Sequence, residues 1–203
     1  MRLLKGTLTR MRRQLLGVGV CLLATPAFGQ LVDDDLHYYT YANLSHSLLI
    51  LGSSDVRTGG GLSLAAGRRD PKLRLLRKIE GELIWEGYYV ETNTSHPTPE
   101  FPAETTKAFG VLATVRYRWQ FRSDMNLFAD IGFGIQFTDH DSKDLRLTNN
   151  TTPTLGFGVE IRTSSRDSFL LGTRVLHASN AGRTDPNPGQ NLLQLYIGIR
   201  YKH

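Results

Sequence analysis

Apolar and polar positions alternate from Lys107 to Phe121. Phe109, Val111, Ala113, Val115, Tyr117, Trp119 and Phe121 share one parity; Gly110, Thr114, Arg116, Arg118 and Gln120 share the other. Period two sends each set to one face of a strand. After Arg122-Ser123-Asp124 the pattern resumes over Met125–Thr138, with Leu127, Ala129, Ile131, Phe133, Ile135 and Phe137 against Asn126, Asp130, Gly132, Gly134 and Gln136. Thr152–Thr163, Asp167–Ser179 and Leu192–Tyr201 alternate in the same way. Upstream, Leu44–Gly52, Gly59–Gly67 and Leu73–Glu91 complete a set of eight predicted strands, and residues 30–43 form an unassigned leader.

Several of these strands exceed ten residues, against the ~5–6 usual in soluble sheets. The connections alternate in length as well. Arg68-Arg69-Asp70-Pro71, Arg122–Asp124 and Ser164–Arg166 read as tight turns, whereas Asn93–Glu104, Asp139–Asn150 and Asn180–Asn191 read as long loops. An apolar face, a polar or glycine-rich face and alternating short and long connections together predict an all-β fold: an eight-stranded antiparallel transmembrane β-barrel of the outer membrane. A barrel of that size is filled by its own side chains. Arg116, Arg118, Asp130, Glu160, Arg162, Arg174 and Arg200 are therefore expected inside as a packed polar network. A soluble sandwich or lipocalin-like barrel is the competing architecture, since alternation alone does not say which face meets water.

The N-terminus changes how the charge is read. Arg2, Lys5, Arg10, Arg12 and Arg13 precede the apolar run Leu15–Ala24 and the small-residue site Ala27-Phe28-Gly29. This is the layout of a cleaved signal peptide over residues 1–29, leaving 30–203 as one barrel domain in the bacterial outer membrane. The sequence holds 24 basic and 19 acidic residues, and five of the basic ones fall in that segment, so the remainder is balanced at 19 of each. No basic excess remains for a nucleic-acid partner. Cys21, the only cysteine, lies in the signal and leaves no disulfide in the exported chain. No later stretch approaches the ~18 apolar residues of a membrane-spanning helix.

His177 and Ser179 carry the candidate chemistry. Two residues apart on a strand, their side chains share a face, which suits a general base beside a nucleophile. Their parity is that of Phe169, Leu171, Thr173 and Val175, so they face lipid where the strand enters a long external loop. Polar groups there need a partner or a task. Asp139-His140-Asp141 with Asp144 reads as a solvated loop rather than a cation site, and Gly59-Gly60-Gly61 lacks the lysine of a phosphate loop.

The run His177-Ala178-Ser179-Asn180-Ala181-Gly182, continued by Asn187-Pro188-Gly189, resembles the active-site motif of the outer-membrane lipid A 3-O-deacylases of the PagL type, also called acyloxyacyl hydrolases. The resemblance implies a serine esterase on the barrel's outer surface that removes the 3-hydroxyacyl chain ester-linked at position 3 of lipid A. It implies Ser179 as nucleophile, His177 as general base, and Asn187 with the backbone from Asn180 to Gly182 as oxyanion donors. Better-known members carry a glutamate two residues after the Asn-x-Gly glycine; here that position is Asn191, an orienting residue without charge, with Asp185 as a loop substitute. Lipopolysaccharide is the implied substrate and outer-membrane lipid the surrounding partner. A homodimer is compatible, and neither metal nor cofactor is expected. The alternative is a non-catalytic outer-membrane barrel with a structural or adhesive role.

Overall fold

The computed structural model describes residues 36–75, 79–95, 97, 99, 102–185 and 187–202. The expected signal segment, with Cys21, lies outside the described residues. The strands are β1 (Leu36–Ser47), β2 (Arg57–Leu75), β3 (Ile79–Thr94), β4 (Thr105–Gln120), β5 (Met125–Thr138), β6 (Asn149–Thr151), β7 (Thr154–Arg162), β8 (Asp167–Ala178) and β9 (Gln190–Lys202). Each pairs antiparallel with its neighbours, β9 pairs with β1, and the sheet closes on itself. The short β6 and β7 keep one register against β5 (Ile135↔Thr151, Gly132↔Thr154) and against β8 (Ser179↔Thr151, Leu176↔Thr154). They are one barrel strand punctuated at Pro153, which has no N–H to give to a ladder. The result is a closed eight-stranded barrel, as the alternation predicts.

Three local expectations are corrected. The first strand lies at Leu36–Ser47 rather than Leu44–Gly52, so much of the supposed leader is barrel wall. Arg68–Pro71 is not a turn: β2 runs through it to Leu75, with a register shift against β3 between Asp70 and Arg74. A proline inside a strand is tolerated at such a bulge. Arg162 is exposed at the end of β7, where the strand has already left the interior.

The rest of the inner face is as charged as expected. Arg116 holds Asp130 through two bonds of 2.7 Å, and Arg174 holds Glu86 through two of 2.8 Å. Glu82 accepts from Tyr39 Oη at 2.7 Å, lies 3.0 Å from His37 Nδ1 and pairs with Arg118, which also holds Glu160. Such charges survive burial because each has an opposite partner and further hydrogen bonds. Apolar clusters flank this network. Tyr39, Tyr41, Ile84, Phe128, Leu170 and Tyr196 fill the end with the short turns; Tyr88, Val90, Leu112, Leu176 and Leu192 fill the end with the long loops, where Leu145 of the Asp139–Thr148 loop inserts among them. Outside, Trp85, Phe109, Phe133, Phe157 and Ile197 are exposed in an apolar belt. A continuous apolar exterior over a charged interior is the inverse of a water-soluble barrel and matches a lipid-facing one.

Candidate active site

The site lies on the outer face where β8 and β9 approach the long loops. Inward positions on β8 are Leu170, Gly172, Arg174, Leu176 and Ala178; His177 and Ser179 take the opposite parity. His177 stands directly across from Asn191 in the β8–β9 register, and Ser179 across from Thr151. Side chains opposed in an antiparallel pair are close enough to interact. His177 Nδ1 and Asn191 Oδ1 are 2.7 Å apart.

Asn191 is 0% exposed although its parity is outward. The segment after β1 folds over it: Leu48 N donates to Asn191 O at 2.8 Å, and Asn191 Nδ2 donates to Ile50 O at 2.8 Å. That second bond fixes which way the amide faces. Its nitrogen must meet the carbonyl, so its oxygen meets the imidazole. An amide oxygen only accepts, so His177 carries its proton on Nδ1 and presents the Nε2 lone pair. Ser179 lies two residues on along the same face. Among the described residues no hydrogen bond joins its hydroxyl to His177.

The Asn180–Gly189 loop is built around two amides. The Asn180 side chain, 1% exposed, donates from Nδ2 to Thr184 O at 3.0 Å and to Thr184 Oγ1 at 2.7 Å, and its Oδ1 accepts from Arg183 N at 3.1 Å. Asn180 N donates to Asn187 Oδ1 at 3.1 Å. This changes the expected donor set, because the Asn180 amide is committed to holding Asn187. Asn187, with its oxygen occupied, keeps its Nδ2 hydrogens as donors. Ala181 and Gly182 adopt φ of 56° and 74° beneath the bond from Arg183 N to Asn180 O. Positive φ at both central positions marks a type I′ turn. Gly182 serves that turn and faces open space. Gly189, with φ 70°, does more: a Cβ there would lie 2.6 Å from His177 Cε1 and 2.9 Å from Ala178 O. Only glycine lets the returning loop pass so close over the imidazole.

Asp185, the lesser alternative to Asn191 as third member, is exposed, and Asn191 already occupies the nitrogen it would need. The Asp139–Asp144 stretch is not simply a solvated loop. Asp144 is 1% exposed and accepts from Ser53 Oγ, Ser54 N and Asp55 N, each at 2.8 Å, and from Ser54 Oγ at 3.1 Å. The pattern of residues misses Ile50 and Asp144. Ile50 acts through a backbone carbonyl that no side chain advertises, and Leu48 to Leu51 reads instead as part of an apolar strand.

Residues 59–200 match the family profile described as lipid A 3-O-deacylase (PagL). Among solved structures, the outer membrane enzyme PagL superposes with a TM-score of 0.56 at 15% identity, covering 79% of this chain and 97% of that one. Neisserial surface protein A superposes equally well, with a TM-score of 0.56 at 16% identity, covering 83% and 97%. At such identities the likeness concerns the barrel and not its chemistry. No curated protein matches in sequence.

Proposed function

The chain belongs to the lipid A 3-O-deacylase family, and on that premise we propose that it is an outer-membrane serine esterase cleaving the acyl ester at position 3 of lipid A. The observation that carries the reading is the 2.7 Å contact of His177 Nδ1 with Asn191 Oδ1, which leaves Nε2 as the lone-pair nitrogen of a side chain on the same strand face as Ser179. His177 Nε2 takes the Ser179 proton as Oγ attacks the ester carbonyl, and Asn191 Oδ1 steadies the imidazolium through Nδ1–H. Asn187 Nδ2 donates to the tetrahedral oxyanion. The intermediate collapses with transfer of the proton to the departing sugar hydroxyl, leaving the acyl group on Ser179 for water to remove. Outward-facing Val175, Leu155, Leu193 and Leu195 continue from the polar set into the belt and offer the acyl chain an apolar bed.

A neutral amide in place of a carboxylate orients the base without adding charge to stabilise it, so proton transfer is slower than with a glutamate at this position. A signal peptide over residues 1–29 supplies export. The second reading, a non-catalytic surface barrel, draws on the equal likeness to Neisserial surface protein A. Mass spectrometry of lipid A from cells expressing this chain or its Ser179→Ala variant separates the two. The esterase removes one hydroxyacyl group, and the variant loses that activity by ~10³-fold or more while remaining a heat-resistant barrel. Unchanged lipid A with both proteins folded in the outer membrane would sink the esterase and leave the structural barrel.

A further inference from the structure

We propose that Asp144 is a positioning residue for the deacylation, acting through the Ile50–Ser53 turn and Asn191 on the tautomer of His177. The proposal rests on the functional reading above. Asp144 sits in the loop between β5 and β6, buried, and the chemistry at Ser179 makes no use of it. Its carboxylate accepts from two backbone amides and two hydroxyls of Ser53, Ser54 and Asp55. Three of those bonds converge on Oδ2 and one on Oδ1. They also pin the residues directly after the turn that holds Asn191.

That turn is unusual in itself. Ser53 N donates to Ile50 O at 3.1 Å, and Leu51 and Gly52 have φ of 54° and 87°. This is again the type I′ pattern, which favours Asn, Asp or Gly at its first central position, not leucine. Leu51 and Ala181 are the non-glycine residues with positive φ among the described residues, and they flank the site on its two sides. Strained backbone of this sort persists only where its surroundings hold it. Here the turn is held at both ends, by Leu48 N on Asn191 O and by Asp144 on Ser53 to Asp55. Ile50 O accepts from Ser53 N and from Asn191 Nδ2 together.

The consequence is a relay with a binary end. Release of Ser53–Asp55 lets the turn relax and withdraws Ile50 O from Asn191. The amide can then flip and offer Nδ2 to the ring, which moves the imidazole proton to Nε2. In that tautomer His177 has no lone pair for Ser179. A carboxylate at position 191 has no such flip, since both of its oxygens accept.

The test therefore pairs Asp144→Ala with Asn191→Asp in purified protein in lipid nanodiscs, assayed on lipid A. Asp144→Ala is expected to lower kcat by about 30-fold with KM little changed. In the Asn191→Asp background the same substitution should change kcat by less than about threefold. Histidine ¹⁵N NMR, with His177 identified by its loss in His177→Gln, should show the Nδ1–H form in the parent and the Nε2–H form in Asp144→Ala. Equal losses in both backgrounds, or an unaltered tautomer, would reduce Asp144 to a loop staple and overturn the proposal. If Asp144→Ala does not assemble, Asp144→Asn, which loses part of the acceptor set, takes its place. If Asn191→Asp is itself inactive, the NMR result decides. A parent protein without deacylase activity would refute the functional reading, while the tautomer measurement would still judge the relay.

Discussion

The same residue types do opposite work on the two sides of the barrel wall. Inside, Arg174 is bound at every guanidinium nitrogen, to Gln194 and twice to Glu86. Outside, three residues further along β8, His177 has Nδ1 occupied by Asn191 Oδ1 and makes no hydrogen bond through Nε2 among the described residues. The Arg174 set is complete, and so it stabilises the wall and leaves nothing over for a substrate, whereas Arg116 Nη1 and Arg200 Nε stay without a hydrogen-bond partner among the described residues. On the proposed mechanism, the outer set is left incomplete at the atoms where bonds are to be made. What separates a structural polar network from a reactive one here is how much of it is already satisfied, because burial is shared: Asn191 is as hidden as Glu86.

Breaking the inner set should cost the fold. Glu86→Ala strands Arg174 in the interior, and loss of one partner from a buried pair costs ~3–5 kcal/mol. Urea unfolding in detergent or bilayers should show a loss of that size; a loss under ~1 kcal/mol would mean that water or Gln194 compensates the arginine. Disturbing the outer set should cost turnover instead. Gly189→Ala pushes a methyl group into the His177 ring and sets alanine at φ 70°. Such a displacement of the base should lower kcat by ~10²-fold, with the unfolding midpoint shifted by ~1–2 kcal/mol from the strained φ. If turnover were untouched, the imidazole would not be the base. Ala181→Gly is the mildest probe, removing the left-handed penalty from the loop turn. It should stabilise the fold by roughly 1 kcal/mol or less, with lipid A deacylation in the same assay unchanged within about twofold.

The pattern of residues carries the barrel well where both faces are pure. In β4 from Phe109 on and throughout β5 each outward position is apolar and most inward ones are charged, polar or glycine, so the faces and the turn between them are read correctly. It misleads where local chemistry imitates another element. Arg68-Arg69-Asp70-Pro71 has the composition of a turn, yet pairing with β3 carries β2 past it through a bulge. Leu48 to Leu51 has the composition of a strand core, yet it turns over Asn191, and the aromatic run Tyr38–Tyr41 builds β1 instead. At the candidate site, strand parity singles out His177 and Ser179 and the family resemblance adds Asn191, and the structure brings His177 and Asn191 together. Asn187 was expected to donate, and its oxygen proves to be taken by Asn180 N. The contact of Ile50 with Asn191 is illegible because it spans 141 residues and uses the backbone alone, and Asp144, read in the sequence only as part of a solvated loop, proves buried through a contact between loops.

The closing ladder between β9 and β1 has a bearing on timing. His177 belongs to β8, Asn191 to β9, and the carbonyl that orients Asn191 belongs to the segment following β1. His177 and Asn191 thus meet across the β8–β9 pairing, and the carbonyl that orients Asn191 reaches them across the seam where β9 joins β1. On the proposed mechanism, a chain with that seam open lacks the carbonyl that sets the Asn191 amide and, with it, the tautomer of His177. Hydrolytic competence, on that reading, arrives together with barrel closure.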